Sequence, residues 1–215
     1  LAAVLTGQAE LAAASKNISD RPAKLLYLEG IYSERVENYV HDGLAKIARA
    51  LPEHIDIRPA PQAEITKFLD CHKTIYDFEI CQNIGPLMHA HKQLMSSEIL
   101  EAIKRGKAIS PADYYAALLV RDEARDFFDS MLAGYDGLLS ASATGEAPIF
   151  EEGTGDSICN CLWSLTGYPS VSLPISGAYA ITGPNGLGVG IQLTATTGRD
   201  GALSGLAGWL ESRLA

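Results

Sequence analysis

Two strand-like apolar runs enclose an amphipathic helix near the beginning of this chain. Residues 24–32 cluster apolar side chains as a buried strand does, and residues 55–58 form a second short run of that kind. Between the runs, apolar residues recur every three or four positions: Val36, Val40, Leu44, Ile47 and Leu51. We place the N-cap of this helix at Ser33, with Glu34 in the favourable first turn, and its end at Pro52. The spacing predicts a strand–helix–strand unit.

The alternation of helix and strand patterns continues to the end of the chain. Residues 61–105 are mostly helical in pattern and are interrupted at Gly85 and Pro86, and a long helix is predicted from the cap residues 110–113 to Gly134. The later predictions are a strand at 136–140, a helix at 156–165, strands at 170–173 and 187–194, and a closing helix from about Asp200. Residues 1–7 have the pattern of the last turns of a helix that Gly7 stops, so the chain is expected to begin inside an element. We predict an α/β protein.

Composition excludes several classes of protein. The net charge is −9 and is spread along 215 residues without a basic stripe, which argues against a nucleic-acid surface. No apolar run approaches the length that spans a bilayer, and no signal peptide is evident, so we expect no membrane partner and a cytoplasmic location. A chain of this size needs neither a disulfide nor a metal to be stable, and the four cysteines are expected to be free thiols: Cys71, Cys81, Cys159 and Cys161.

Several short motifs follow one another in the second half of the chain. They are DYY at residues 113–115 with Arg121, YDGLL at 135–139, EAP at 146–148, TGD at 154–156, Trp163, GYPSVSLP at 167–174 and GLGVGIQL at 186–193. In this order and spacing they resemble the C-terminal part of amidase signature enzymes. Each motif alone is weak evidence, but several in the right order are strong evidence. The resemblance implies the C-terminal part of the amidase signature fold, a mixed twisted sheet covered by helices.

The resemblance also implies a nucleophile that this sequence does not contain. Enzymes of that family use a serine activated by a second serine and a lysine in a Gly- and Ser-rich segment, with backbone N–H groups that stabilise the oxyanion. That segment lies upstream of the part represented here. We therefore interpret residues 1–215 as a single domain that lacks the catalytic triad. Lys92, Ser96 and Ser97 imitate it most closely, but they have no flanking glycines and are interpreted as solvated or capping residues.

Two further patterns are interpreted as structural. The glycine-rich residues 183–190 lack the following helix that a phosphate-binding loop requires, which favours a hairpin-like turn between strands. The pairs Cys159 with Cys161 and His89 with His91 are spaced two apart, do not share a helix face, and have no second pair to complete a metal site. We predict no metal and no cofactor.

Five residues are candidates for substrate binding. The resemblance extends to the amidase-type subunits of glutamyl-tRNA amidotransferases, in which an arginine and an acidic residue help to hold the charged groups of the substrate. Arg121 falls at the position of that arginine, whereas Asp156 is one residue away from the acidic position. A structural ion pair is an equally good interpretation of these two. Ile158 and Cys159 are candidates for an acyl pocket, and Trp163 fits either that pocket or, more commonly for tryptophan, the core.

The sequence thus predicts the C-terminal portion of an amidase that cleaves the C–N bond of a small carboxylic amide when it is complete, and that is inactive alone. We expect the chain to associate with the missing N-terminal half or with itself, because the apolar surface that this half would cover is exposed. The alternative is a non-catalytic binding or assembly module that descends from an amidase.

Overall fold

The computed structural model describes residues 23–214. These residues form two compact units: residues 23–61 together with 128–214, and residues 62–127. The helix end predicted at residues 1–7 lies outside the described residues. In residues 23–214, no helix combines the length and the apolar character needed to cross a membrane.

The predicted strand–helix–strand unit is confirmed. It consists of strand β1 (Leu25–Glu29), helix α1 (Asn38–Ala50) and strand β2 (Ile55–Pro59), and the two strands run parallel in the register Leu25 to Ile55. Apolar side chains on one face of α1 are buried, as the spacing predicts: Val40, Leu44 and Ile47.

The predicted helix start at Ser33 is wrong, because α1 begins only at Asn38. The intervening residues form turns around Tyr32, which has a positive φ of 59°, and its carbonyl accepts hydrogen bonds from the N–H groups of Arg35 at 2.9 Å and Val36 at 3.0 Å. Glu37 then donates its N–H to the carbonyl of Thr144 at 2.8 Å. A contact with a loop more than a hundred residues away therefore fixes the start of the helix, and local capping residues do not reveal it.

The first unit is built on a mixed five-stranded sheet. Besides β1 and β2 it contains β3 (Gly137–Ala141), β4 (Ser170–Leu173) and β7 (Ile191–Thr194), in the order β2-β1-β3-β7-β4. β3 runs parallel to β1, whereas β7 runs antiparallel to both of its neighbours. The predicted strands at 136–140 and 170–173 are confirmed.

The strand predicted at residues 187–194 is divided in two. Strand β6 (Gly188–Val189) pairs with β5 (Ile181–Thr182) in a small separate sheet, and β7 begins after Gly190. A Cβ at Gly190 would lie 2.9 Å from the carbonyl oxygen of Leu173, so the backbone passes too close to β4 for a side chain there. The hairpin-like turn predicted within residues 183–190 is confirmed, and residues 183–187 form the connection between β5 and β6.

Helices cover the sheet of the first unit, as predicted. α1 packs on β1, β2 and β3, and the closing helix α7 (Asp200–Leu214) packs on β4 and β7. Helix α6 (Ile158–Thr166) precedes β4 and ends at Gly167, which has the left-handed φ of 70° that terminates helices.

The second unit is helical. It contains α2 (Gln62–Asn83), α3 (Met88–His91), α4 (Ser97–Gly106) and most of α5 (Pro111–Met131), whose last turn belongs to the first unit. The predicted interruption is confirmed, since α2 stops before a short 3₁₀ turn at Gly85–Leu87. Ser110 and Asp113 cap α5 reciprocally, because the Ser110 hydroxyl oxygen accepts from the Asp113 N–H at 3.1 Å and the carboxylate accepts from the Ser110 N–H at 3.2 Å.

Candidate functional site

The start of α6 is fixed by Asp156, one of the predicted binding residues. One carboxylate oxygen, Oδ1, accepts the backbone N–H of Ile158 at 3.0 Å, which satisfies a free donor of the first helical turn. The other, Oδ2, accepts from Nε of Arg35 at 2.6 Å and also contacts the second guanidinium nitrogen. Both oxygens are thus engaged within the chain. Sequence reasoning missed Arg35, because nothing local relates it to a residue 121 positions away.

Ile158 and Cys159 lie on the first turn of α6 and are buried. Burial, together with the negative charge of Asp156, raises the pKa of the Cys159 thiol to about 12. The pKa of Cys161 is also raised, chiefly by burial. These thiols stay protonated at neutral pH, so they are poor nucleophiles. All four cysteines are free, as predicted.

The middle of α6 borders a cavity of about 540 Å³ within the first unit. Trp163, one of the predicted site residues, lines this cavity. Its ring also packs in the core, where it meets the ring of Phe128 edge-on with the two centroids 5.4 Å apart. Asn160 of the same helix, Gln192 of β7 and Asp200 at the start of α7 also line it.

Gln192 belongs to a polar row that crosses the sheet. Its register partners are Ser140 on β3 and Ser172 on β4, and its side-chain Nε2 donates to Oδ1 of Asn160 at 3.3 Å. Gln192 and Ser140 are buried, although both positions lie in otherwise apolar strands. Sequence reasoning missed Gln192 as a site residue. The sequence signal that could have identified it is a polar glutamine between the apolar residues Ile191 and Leu193, in a strand that is predicted to be buried.

Arg121 lies in the second unit, on α5. Its guanidinium contacts Oδ1 of the adjacent Asp122, at 3.0 Å from Nε and 2.8 Å from Nη2. The structure therefore places Asp156, Ile158, Cys159 and Trp163 on or beside one helix of the first unit, whereas Arg121 belongs to the other unit.

Glu146 fixes the hairpin of β5 and β6. Its carboxylate accepts the backbone N–H groups of Asn185 at 2.9 Å and Leu187 at 3.1 Å, and the Asn185 side-chain amide at 2.7 Å. Desolvation raises the pKa of Glu146, but these hydrogen bonds together outweigh it and leave the pKa below its ordinary value. The EAP motif thus has a structural function in this chain.

The residues whose patterns imitate a catalytic or metal site either cap a helix or are exposed. The Ser96 hydroxyl caps α4 by accepting from the Ile99 N–H at 3.4 Å, which confirms its predicted capping function, and Lys92 is exposed. His89 and His91 are exposed on the short helix α3. Within residues 23–214, no group of three or more His, Cys, Asp or Glu side chains is arranged to hold a metal ion.

The mixed sheet with its covering helices is an α/β fold of the amidase type. By sequence, no family model and no curated protein matches this chain. By structure, it matches a solved amidase with a TM-score of 0.76 and 22% identity, over 91% of this chain and 46% of that one. The predicted fold class is thereby confirmed: the described fold corresponds to the C-terminal part of the amidase signature fold.

Two further solved structures extend this likeness. A bacterial aryl acylamidase of the amidase signature family matches with a TM-score of 0.64 and 18% identity, over 94% of this chain and 46% of that one. A glutamyl-tRNA(Gln) amidotransferase chain from Thermotoga maritima matches with a TM-score of 0.60 and 20% identity, over 86% of this chain and 41% of that one. The chain spans less than half the length of each of these three proteins.

Proposed function

We propose that this chain is the C-terminal portion of an amidase, an enzyme that hydrolyses the C–N bond of a carboxylic amide. The observation that supports the proposal is the fold shared with the solved amidases, over nearly the whole of this chain and about half of theirs. In the proposal, both units belong to one domain, which supplies part of the sheet and a wall of the substrate pocket. The complete enzyme works on a small-molecule amide in the cytoplasm.

The nucleophile is proposed to come from a segment upstream of this chain. A serine there, activated by a second serine and a lysine, attacks the amide carbonyl and releases the amine, and water then cleaves the acyl-enzyme. The buried, protonated thiol of Cys159 offers no substitute nucleophile. The chain alone is therefore proposed to be inactive.

We propose that α6 and the residues before it contribute part of the wall of the substrate pocket. The residues that form this part are Asp156, Ile158, Cys159 and Trp163. The burial of Ile158 and Cys159 at the start of α6 and the position of Trp163 at a cavity are consistent with this function. Arg121 is proposed separately as a substrate-binding residue of the second unit. Its contact with Asp122 is an exposed ion pair of small energy, which a substrate carboxylate can displace.

Inactivity of the chain alone is tested with a serine-reactive fluorophosphonate. We expect no stoichiometric labelling of purified residues 1–215, because the activating lysine and serine are proposed to lie elsewhere. Labelling at one mole per mole of chain, localised by peptide mass spectrometry, would disprove both the inactivity and the upstream triad.

The pocket wall is tested in the enzyme reconstituted with its upstream half. Ile158→Ala is expected to change the relative kcat/KM values among amides of different acyl size, because it enlarges one part of the pocket. The matched control is Ile57→Ala, since Ile57 is 40% exposed on β2, which lies at the opposite edge of the sheet from β4. An equal change for all amides would contradict a pocket function for Ile158.

A non-catalytic module is the alternative. It is favoured by one observation, that both carboxylate oxygens of Asp156 are already engaged by Arg35 and by the Ile158 backbone. Failure of every amide to be hydrolysed by a folded, stoichiometric complex with the upstream half would support this alternative.

A further inference from the structure

The hairpin of β5 and β6 carries the only Asn–Gly pair of the sequence in its connection. Asn185 and Gly186 are both exposed, and Gly186 has a left-handed φ of 84°. Two backbone hydrogen bonds close the turn, from the Gly183 N–H to the carbonyl of Leu187 at 2.9 Å and from the Gly186 N–H to the carbonyl of Gly183 at 3.0 Å. Because glycine has no side chain, nothing on residue 186 itself shields its backbone nitrogen from the side chain of Asn185.

We propose that Asn185 is a site of spontaneous deamidation, which Glu146 restrains while the hairpin is folded. The backbone nitrogen of Gly186 attacks the side-chain carbonyl carbon Cγ of Asn185, so a new C–N bond closes a cyclic succinimide. The bond from Cγ to Nδ2 breaks, and Nδ2 leaves as ammonia with the proton of the attacking N–H. Water then opens the ring at either carbonyl and gives aspartate or isoaspartate. Water is the only co-reactant, and nothing is oxidised or reduced.

Glu146 restrains the group that must leave. Its Oε1 accepts the Asn185 backbone N–H at 2.9 Å and the side-chain Nδ2 at 2.7 Å, and its Oε2 accepts the Leu187 N–H at 3.1 Å. In the ring closure, Nδ2 gives up a hydrogen bond to a charged acceptor, and the Gly186 nitrogen loses the N–H that bonds to Gly183. The attack also builds negative charge on Oδ1 of Asn185, which the adjacent carboxylate destabilises. The folded hairpin therefore reacts slowly, and an opened hairpin reacts faster.

The modification also releases the hairpin from Glu146. After deamidation to aspartate, a negatively charged oxygen replaces the donor Nδ2, which lies 2.7 Å from Oε1 of Glu146. Two carboxylates at this distance repel each other, and isoaspartate in addition lengthens the backbone within the turn. Residues 182–184 of the hairpin line a cavity of about 560 Å³ together with Glu146. Release of the hairpin therefore changes one wall of this cavity.

The rate of conversion is measured by peptide mass spectrometry on the full chain incubated at neutral pH. We expect Asn185 to convert slowly in the folded chain, faster in urea, and about tenfold faster in folded Glu146→Ala, because lost hydrogen bonds to a charged group favour the open turn. The matched control is Glu151→Ala, the same change at an exposed glutamate of the connection between β3 and α6, with no change of rate expected. Asn83 is the internal control, since it is exposed but precedes the β-branched Ile84.

The effect of the modification is measured with Asn185→Asp, which reproduces one product. We expect hydrogen exchange of the Gly183 and Gly186 amides to become about tenfold faster, because the turn opens more often. In the double variant with Glu146→Gln, the repulsion between two carboxylates is removed and the new amide donates to the new carboxylate. Part of the protection is therefore expected to return.

Four results would overturn the inference. They are no conversion at Asn185 in either the folded or the unfolded chain, conversion of Asn83 at the same rate, a folded Glu146→Ala variant that converts no faster than the unchanged chain, and unchanged amide exchange in Asn185→Asp. If Glu146→Ala does not fold, Glu146→Gln takes its place, with a smaller acceleration expected because it keeps one acceptor oxygen. None of these measurements depends on amide hydrolysis by the complete enzyme, so they stand or fall separately from the proposed function.

Discussion

At the scale of single residues, the most heavily paired carboxylate in the second unit is that of Asp77. It is 2% exposed and accepts from Nζ of Lys73 and from Nε and Nη2 of Arg105, each at 2.7 Å. Burial raises its pKa, but the hydrogen bonds and charges of Arg105 and Lys73 outweigh burial and leave the pKa below its ordinary value. The ion cluster joins α2 to α4.

We predict that Asp77→Asn lowers the free energy of unfolding at neutral pH by about 2 kcal/mol, since charged hydrogen bonds are lost at a buried position. Because the folded pKa is depressed, this contribution is fully present above the unfolded value of about 3.9 and is lost as the pH falls through the folded pKa. Urea unfolding at neutral pH and at successively lower pH checks this, and the difference from the unchanged chain is expected to shrink in acid. The control is Asp122→Asn, whose exposed pairs with Arg121 and Arg125 are each worth about 0.5 kcal/mol or less. Equal losses in both variants would contradict the prediction.

At the scale of elements, α2 and α4 approach closely at Gly106. A Cβ there would lie 2.1 Å from the carbonyl oxygen of Asp77 and 2.5 Å from Cβ of Cys81. The first of these contacts is with backbone, which cannot rotate away. The helices therefore meet at this distance only because residue 106 has no side chain.

Gly106→Ala is predicted to destabilise the chain by about 1–3 kcal/mol, because the two helices must separate to admit the methyl group. Gly208→Ala is the matched control, since that glycine lies in the interior of α7 with open space where its Cβ would be. There, alanine is expected to be neutral or to stabilise by about 0.5–1 kcal/mol through its helix propensity. Thermal unfolding of both variants provides the measurement, and a stable Gly106→Ala variant would show that α2 and α4 do not pack as described.

At the scale of the whole molecule, large apolar side chains are exposed in both units. In the first, Ile149 is 63% and Phe150 94% exposed, and in the second, Tyr115 is 66% and Leu119 73% exposed, one helical turn apart on α5. Such surface favours association with a partner or with a second copy.

The chain alone is predicted to self-associate, with a sedimentation coefficient that rises with concentration. The double variant Tyr115→Ser with Leu119→Ser is expected to weaken this association, because it removes exposed apolar area without touching the core. Asp126→Ser, an exposed substitution on the same helix, is expected to change it little. A purely monomeric sedimentation profile at all concentrations would contradict the prediction.

Much of the fold was predictable because its signals are local. Hydrophobic periodicity identified α1, β1 and β2, the cap residues Ser110 and Asp113 marked the start of α5, and Gly85 with Pro86 marked the end of α2. The prediction failed where a distant contact overrides a local signal. Ser33 has the chemistry of an N-cap, yet the N-cap of the helix is Glu37, four residues later, whose backbone N–H bonds to the carbonyl of Thr144.

The candidate site was predictable only in part. Motif order directed attention to Asp156, Ile158, Cys159 and Trp163, which do lie on or beside one helix. Its polar chemistry was not foreseen, since the ion pair of Asp156 with Arg35 and the hydrogen bond of Gln192 with Asn160 each join residues distant in sequence.

The sequence by itself determined the order of helices and strands and the α/β class. The reason is that the conformation of a short segment depends mainly on the spacing of its apolar residues and on its capping residues. Only the tertiary structure decided which strands become neighbours and where β6 separates from β7. These features depend on contacts between segments far apart in the chain, whose energies no local pattern encodes.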